Sequence, residues 1–221
     1  MCIICISEAG IPQPTVNTLR QMFDSNPHGA GYMVARKGHV EISKGFMTWG
    51  EFKHAIDYEK FTPDDAVVYH FRISTQAGIN APMTHPFPLT RNIHKTKMID
   101  VSCPIGVAHN GIIRLTSDPR DKEFSDTAHF IAEYLAYLVR TPDDLHNAAI
   151  LDAIENLTHS KFALMDKTGY IATVGDFITE DDGIMYSNSS YLPRHEFSFN
   201  NSYGKKYKMV RSIFEDAPYA W

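Results

Sequence analysis

The chain has 221 residues, 43% hydrophobic and 21% charged, which is enough apolar material for one globular domain with a sizeable core. A net charge of -5 gives no electrostatic case for a nucleic-acid or membrane partner, and no apolar run approaches the ~20 residues that span a bilayer. Three cysteines cannot all pair and the first residues carry no basic leader region, so a reducing compartment and a cytoplasmic protein are expected.

Residues 2–7, CIICIS, are short and apolar and predict a buried strand. In PQPTVNTLRQMFDSN, Val16, Leu19, Met22 and Phe23 recur at helical spacing, and Asn26-Pro27 is the stop. HGAGYMVARKGHVEISKG predicts a hairpin around Lys37-Gly38, WGEFKHAIDYEK a short surface helix, and DDAVVYHFRIST a strand rich in β-branched and aromatic residues. Residues 76–104, with prolines at 82, 86, 88 and 104, predict a long irregular loop of functional rather than filler character. IGVAHNGIIRL predicts two short strands broken at Asn110-Gly111. TAHFIAEYLAYLV has Phe130, Ile131, Tyr134, Leu135 and Leu138 on one helical face, and a second helix is expected over 143–156. KFALMDKTGYIATVG reads as a hairpin around Lys167-Thr168-Gly169, and DGIMYSNSSY as a further strand. Residues 190–221 differ in kind: aromatic and basic residues mix there without periodicity. The division expected is a domain over 1–189 and an extension over 190–221, packed on that domain or docking a partner.

Candidate chemistry starts at Cys2. Cysteine in an apolar strand is ordinarily core. If Met1 is removed, however, Cys2 gains a free α-amino group whose pKa, near ~7.7–8.0, suits it as a built-in base for the thiol. Cys2 and Cys5 have CxxC spacing, yet residues three apart on a strand point to opposite faces, so a metal site is not expected. Arg72 and Thr75 fall near the end of a strand, where a guanidinium could meet a carboxylate or merely form a surface ion pair. The Asn110 amide and the Gly111 N–H make either a tight turn or a pair of donors aimed at one oxyanion. Asp126 precedes a helix, where the plain reading is an N-cap.

Taken in order, the second-position Cys, H-x-R-x-S-T at 70–75, H-P-F at 85–87, H-N-G-I-I at 109–113 and S-D-T at 125–127 resemble the glutaminase domain of class II glutamine amidotransferases, which are N-terminal-nucleophile hydrolases. The matching motifs run from Cys2 to about Thr127. The resemblance implies an α+β protein with a four-layer α/β/β/α sandwich and no metal or cofactor. It implies Cys2 as nucleophile on the glutamine side-chain amide, with Asn110 and Gly111 as the oxyanion hole. Arg72, with Thr75 beside it, would hold the substrate carboxylate, and Asp126 its ammonium. Gly29 and Gly31 would allow close backbone approach near the nucleophile, and His85 would close a loop beside the site. Two positions depart from the family pattern, Ile73 for an aromatic residue and Gln76 for a histidine. These 221 residues hold no second domain to use the ammonia. The expected partners are therefore L-glutamine and a separate ammonia-accepting synthase subunit. The alternatives are another small-amide amidohydrolase of the same fold and a catalytically silent binding module.

Overall fold

A computed structural model describes residues 2–74, 78–115 and 123–193, together with the backbone of two strands at 195–200 and 206–211. The chain is a mixed α+β protein whose main body contains two antiparallel sheets. Strands β1 (Ile3–Ser7), β2 (Ala30–Arg36), β3 (His39–Phe46) and β4 (Val67–Phe71) belong to the larger sheet. The short strands β5 (Phe87–Pro88) and β6 (Asp100–Cys103) follow, then β7 (Ile105–Asn110), β8 (Lys161–Asp166), β9 (Ile171–Val174), β10 (Ile178–Thr179) and β11 (Met185–Tyr186). The larger sheet runs β10-β11-β1-β4-β2-β3-β6 and the smaller β5-β7-β8-β9.

Turn chemistry sets the hairpins. Lys37 and Gly38 both take positive φ, 52° and 78°, which matches the right-handed twist of the β2–β3 ribbon they join. Helix α1 (Val16–Ser25) starts where the Thr15 hydroxyl accepts the Thr18 N–H. Its inner face is Leu19, Met22 and Phe23, while Val16 is exposed, one position short of the expected stripe. Helix α2 (Trp49–Glu59) opens with a capping box between Thr48 and Glu51. It is less superficial than expected, because Phe52 is fully buried among Phe46, Trp49, Tyr69 and Phe71.

Side-chain alternation then sorts the core. Ile3, Cys5, Val67, Tyr69 and Phe71 pack under α1 and α2 on one face of the larger sheet. Ile4, Ile6, Met33, Val40 and Val68 point the other way and meet Ala108, Ala163 and Met165 of the smaller sheet. The sheets approach closely at Gly106, where a Cβ would lie 2.5 Å from Met33 Sδ. The outer face of the smaller sheet is covered by α3 (Asp126–Phe130), its continuation through a π turn at Ile131–Leu135 into α4 (Ala136–Leu138), and α5 (Ala148–Thr158). The π turn inserts an extra residue, so Phe130, Ile131 and Leu135 are buried while Tyr134 is 40% exposed.

Several expectations are corrected. Residues 111–115 form no strand, because the chain leaves the ladder at Gly111 and the Ile113 N–H goes to the Asp126 carboxylate. The helix expected at 143–156 is a 3-10 turn, Pro142–His146, followed by α5, which Asn147 caps at the Ala149 N–H. The loop at 76–104 contains β5 and β6 and the 3-10 turns Ala81–Met83 and Ile93–Lys97. The buried Lys44 ammonium ties this segment down by donating to the Pro82 and Thr96 carbonyls, with its charge 3.8 Å from the Phe87 ring centre. The 189/190 boundary falls inside the 3-10 turn Ser189–Tyr191, and Tyr191 stacks on Tyr186 in the core. Beyond it, β12 (His195–Asn200) and β13 (Lys206–Arg211) pair antiparallel with each other. The remainder of the extension lies outside the described residues. Among the described residues no helix is long and apolar enough to cross a membrane.

Gly31 sits where β2 passes under the loop at His85, and an added Cβ would lie 2.3 Å from the His85 carbonyl oxygen and 2.9 Å from Lys44 Cα. Both neighbours are backbone and cannot swing aside. Gly31→Ala is expected to lower the urea-unfolding free energy by about 3 kcal/mol, whereas Gly50→Ala, on the exposed start of α2, should leave it unchanged or raise it slightly.

Candidate active site

The strands that carry the candidate residues end together at one edge of the gap between the sheets. Ile3 pairs with Phe71, so one step outward brings Cys2 beside Arg72. Cys2 continues the inward-facing series Ile6, Ile4, and Arg72 the series Val68, His70. The thiol exchanges weak hydrogen bonds with the backbone of Ile73, its sulfur 3.4 Å from the nitrogen and 3.5 Å from the oxygen. Past Phe71 the ladder continues irregularly: the Arg72 N–H donates to the Gly29 carbonyl and the His28 N–H to the Arg72 carbonyl. Opposite, β7 ends at Asn110, and Gly111 begins the loop that returns to α3.

A cavity of about 300 Å³ opens here, and Cys2, Arg72, Gly111 and Asp126 all line it. Ser125, not Asp126, caps α3, its hydroxyl accepting the Ala128 N–H. That releases the Asp126 carboxylate from capping. It instead accepts the Ile113 and Thr127 N–H groups at 2.8 Å each, which fixes the loop after Gly111 and sets a negative charge at the rim. Arg72 is buried, with Nη1 donating to the Gly78 carbonyl. Burial pulls its pKa down, while the thiol and Asp126 pull it back up. Burial pushes the Cys2 thiol up, against the opposing pull of the Ile73 backbone and the Arg72 charge. A thiol so placed needs a base to become a nucleophile.

Not every expected residue faces the cavity. Asn110 is buried, and its amide nitrogen donates to the Ser187 hydroxyl at 2.9 Å. Gly111 has no room for a side chain, since a Cβ would fall 2.3 Å from Ser160 Oγ. Gly29 and Gly31 do serve close approach, with the loop at Thr84 and His85 rather than with the thiol as neighbour. His85, in a cis peptide with Pro86, lines the cavity floor. Thr75 and Gln76 lie outside the described residues.

Two features escaped the sequence reading. The segment Ser187–Asn188 clamps the outer end of β1: Ser187 accepts the Ile4 N–H at 2.9 Å, and Asn188 donates to the Cys2 carbonyl at 2.6 Å. The Ser/Asn run after a strand signals local capping, not a partner at the other end of the chain. The second feature is that His85 stands in a cluster of three buried histidines with His70 and His109, of which His85 and His109 line the cavity. The His70 and His85 rings lie 4.3 Å apart, and those of His85 and His109 6.2 Å. His70 Nε2 donates to the His109 carbonyl, and His109 Nδ1 bonds the Thr127 hydroxyl. The alternation of His70 with Arg72 on one strand was a usable sign of the former. Among the described residues no three His, Cys, Asp or Glu side chains converge as metal ligands. No family model matches the chain, and no curated protein does either.

Burial drops the His70 and His109 pKa values to about 3 from an ordinary 6.5, and pushes that of His85 well down as well. These imidazoles are neutral in the folded state, while the unfolded chain takes up their protons below pH 6.5. Their contribution is therefore fully present above that pH and is lost as pH falls toward 3. Stability should decline by about 1.4 kcal/mol per pH unit for each histidine between pH ~6 and ~4. His85→Phe should make the acid limb of a urea-unfolding series shallower by one proton.

Proposed function

We propose that the chain is a glutaminase of the class II glutamine amidotransferase type, with the four-layer α/β/β/α sandwich of the N-terminal-nucleophile hydrolases. It would deliver ammonia to a separate acceptor enzyme. The observation that carries this reading is the single cavity lined by a thiol, a guanidinium, a carboxylate and a side-chain-free glycine. Free glutamine has an anionic carboxylate and a cationic ammonium, which Arg72 and Asp126 complement. A glutamine within a peptide has neither charge.

In this mechanism removal of Met1 frees the Cys2 α-amino group. The amine takes the thiol proton as Sγ attacks the side-chain carbonyl carbon. The carbonyl electrons move onto oxygen, where the Gly111 N–H would stabilise the tetrahedral intermediate, joined by the Asn110 amide once its NH₂ group is turned from Ser187. As the C–N bond breaks, the amine returns the proton to the leaving nitrogen, and ammonia departs from a γ-glutamyl thioester. Water, deprotonated by the same amine, attacks the thioester; glutamate leaves and the thiol regains its proton. The raised thiol pKa fits this scheme, because such a site needs the amine as its base.

Intact-mass measurement should find Met1 absent from active protein, and a protein with Met1 retained should be inert. Cys2→Ala should abolish glutamine hydrolysis and covalent labelling by glutamine-like electrophiles; labelling that survives in Cys2→Ala ends this reading. Asp126→Asn keeps an acceptor for the Ile113 N–H while losing the charge and the acceptor for the Thr127 N–H, so KM for glutamine should rise by about 10–100-fold with a smaller change in kcat. Activity indifferent to Asp126→Asn and Arg72→Ala points instead to an amidase for an uncharged amide.

A further inference from the structure

Ser187 is fully buried, far from Cys2 in sequence, and takes no part in the mechanism above. Its oxygen nevertheless joins two parts of the candidate site. The Ile4 N–H, two residues from the thiol, lies 2.9 Å away, and the Asn110 carboxamide lies 2.9 Å away on the other side. With the amide nitrogen toward Ser187, that oxygen receives two N–H groups and the amide oxygen is left buried with no partner. A serine hydroxyl also has a hydrogen of its own to donate.

The two senses of a carboxamide have the same shape, so hydrogen bonding decides between them. In the opposite sense Ser187 accepts from Ile4 and donates to Asn110 Oδ1, and each of these atoms has a partner. The Asn110 NH₂ then faces the position that has no protein acceptor. A buried acceptor without a donor is a plain cost. A buried donor without an acceptor is a cost as well, but one that the developing negative charge of a bound amide would remove under the glutaminase reading.

We infer that Ser187 is a positioning residue: its hydroxyl fixes the sense of the Asn110 amide, so that the NH₂ group is presented to the developing oxyanion. The role rests on the glutaminase reading for its catalytic consequence, though not for the orientation itself. The rest of the segment braces this geometry. The Ser187 N–H donates to the Ile4 carbonyl, and Lys161, paired with Asn110 across β7 and β8, donates from Nζ to the Ser187 carbonyl at 2.8 Å. Ser187 is thereby held from its backbone as well as its hydroxyl, and the amide beside it has little freedom to turn.

Two experiments separate the orientation from its consequence. Neutron diffraction from deuterium-exchanged crystals should place the Ser187 deuteron on Asn110 Oδ1; an Asn110 amide deuteron pointing at Ser187 Oγ overturns the inference. In kinetics, Ser187→Ala should lower kcat by about 10-fold or more with KM within about two-fold, and should cost nothing further in an Asn110→Ala background. Ser187→Cys, which keeps a weak donor in place, should recover part of the loss and controls for folding. An unchanged kcat in Ser187→Ala, or losses that multiply with Asn110→Ala, overturns the positioning role. If the wild-type protein hydrolyses no glutamine, the functional reading falls while the deuteron positions still decide the orientation.

Discussion

Strand β1 is hydrogen-bonded between β4 and β11, and its register sets everything at the site. Ile3 opposite Phe71 turns Ile4 and Ile6 toward the second sheet, and Cys2 with them. A slip of one residue would exchange the two faces. Cys5 and Ile3 would then point into the gap between the sheets, and the thiol of Cys2 would turn toward α1 and α2. The register is strongly specified because both faces of β1 are buried: every residue from Ile3 to Ser7 has no exposed surface. A slip would set side chains of different size and shape into both packed faces at once. The direction of the Cys2 thiol thus follows from the packing of its neighbours rather than from any contact of its own.

Electrostatics around the thiol follow from the same placement. At the mouth of the inter-sheet gap, desolvation raises the Cys2 pKa and weakens the charged state of Arg72. Asp126 and the thiol offset part of the Arg72 penalty. Beneath them the three histidines are held neutral, so they add polarity to the floor without adding charge. Arg72 and Asp126 put one cation and one anion at the cavity, and burial lowers the pKa of the neighbouring Lys44 ammonium from its ordinary value. Under the proposed function, such a site would discriminate by the number and spacing of charges on a small ligand.

What was legible in the sequence was what neighbours in the chain decide. Lys37-Gly38 and Lys167-Thr168-Gly169 make their hairpins by local conformation, and Leu19, Met22 and Phe23 make a helical face by spacing alone. Arg72 and Asp126 were legible as candidates because their motifs are compact, and the fold does bring them to one cavity with Cys2 and Gly111. What was not legible depends on distant partners. Pro88 masked β5, because a proline can serve in a strand only where its missing N–H faces away from the ladder. The residue that caps α3 depends on the fold as well: it is Ser125 rather than Asp126. The strand expected after Gly111 fails because the Ile113 N–H finds a carboxylate thirteen residues later instead of a neighbouring strand.

Ser187 and Asn188 are the extreme case, with bonds that span 183 and 186 residues to Ile4 and Cys2. The consequence is one of assembly. Until β11 docks on β1, the Ile4 N–H and the Cys2 carbonyl lack these partners, and the Asn110 amide has nothing to fix its sense. Contacts of such long separation carry the greatest loop-closure cost and are poorly served by local structure alone. The geometry of the candidate site is therefore a property of the closed fold, completed when β11 returns to β1. The same dependence explains why one buried hydroxyl can matter at a site it does not line: it joins the strand bearing the thiol to the strand bearing the amide at the point where the two sheets meet.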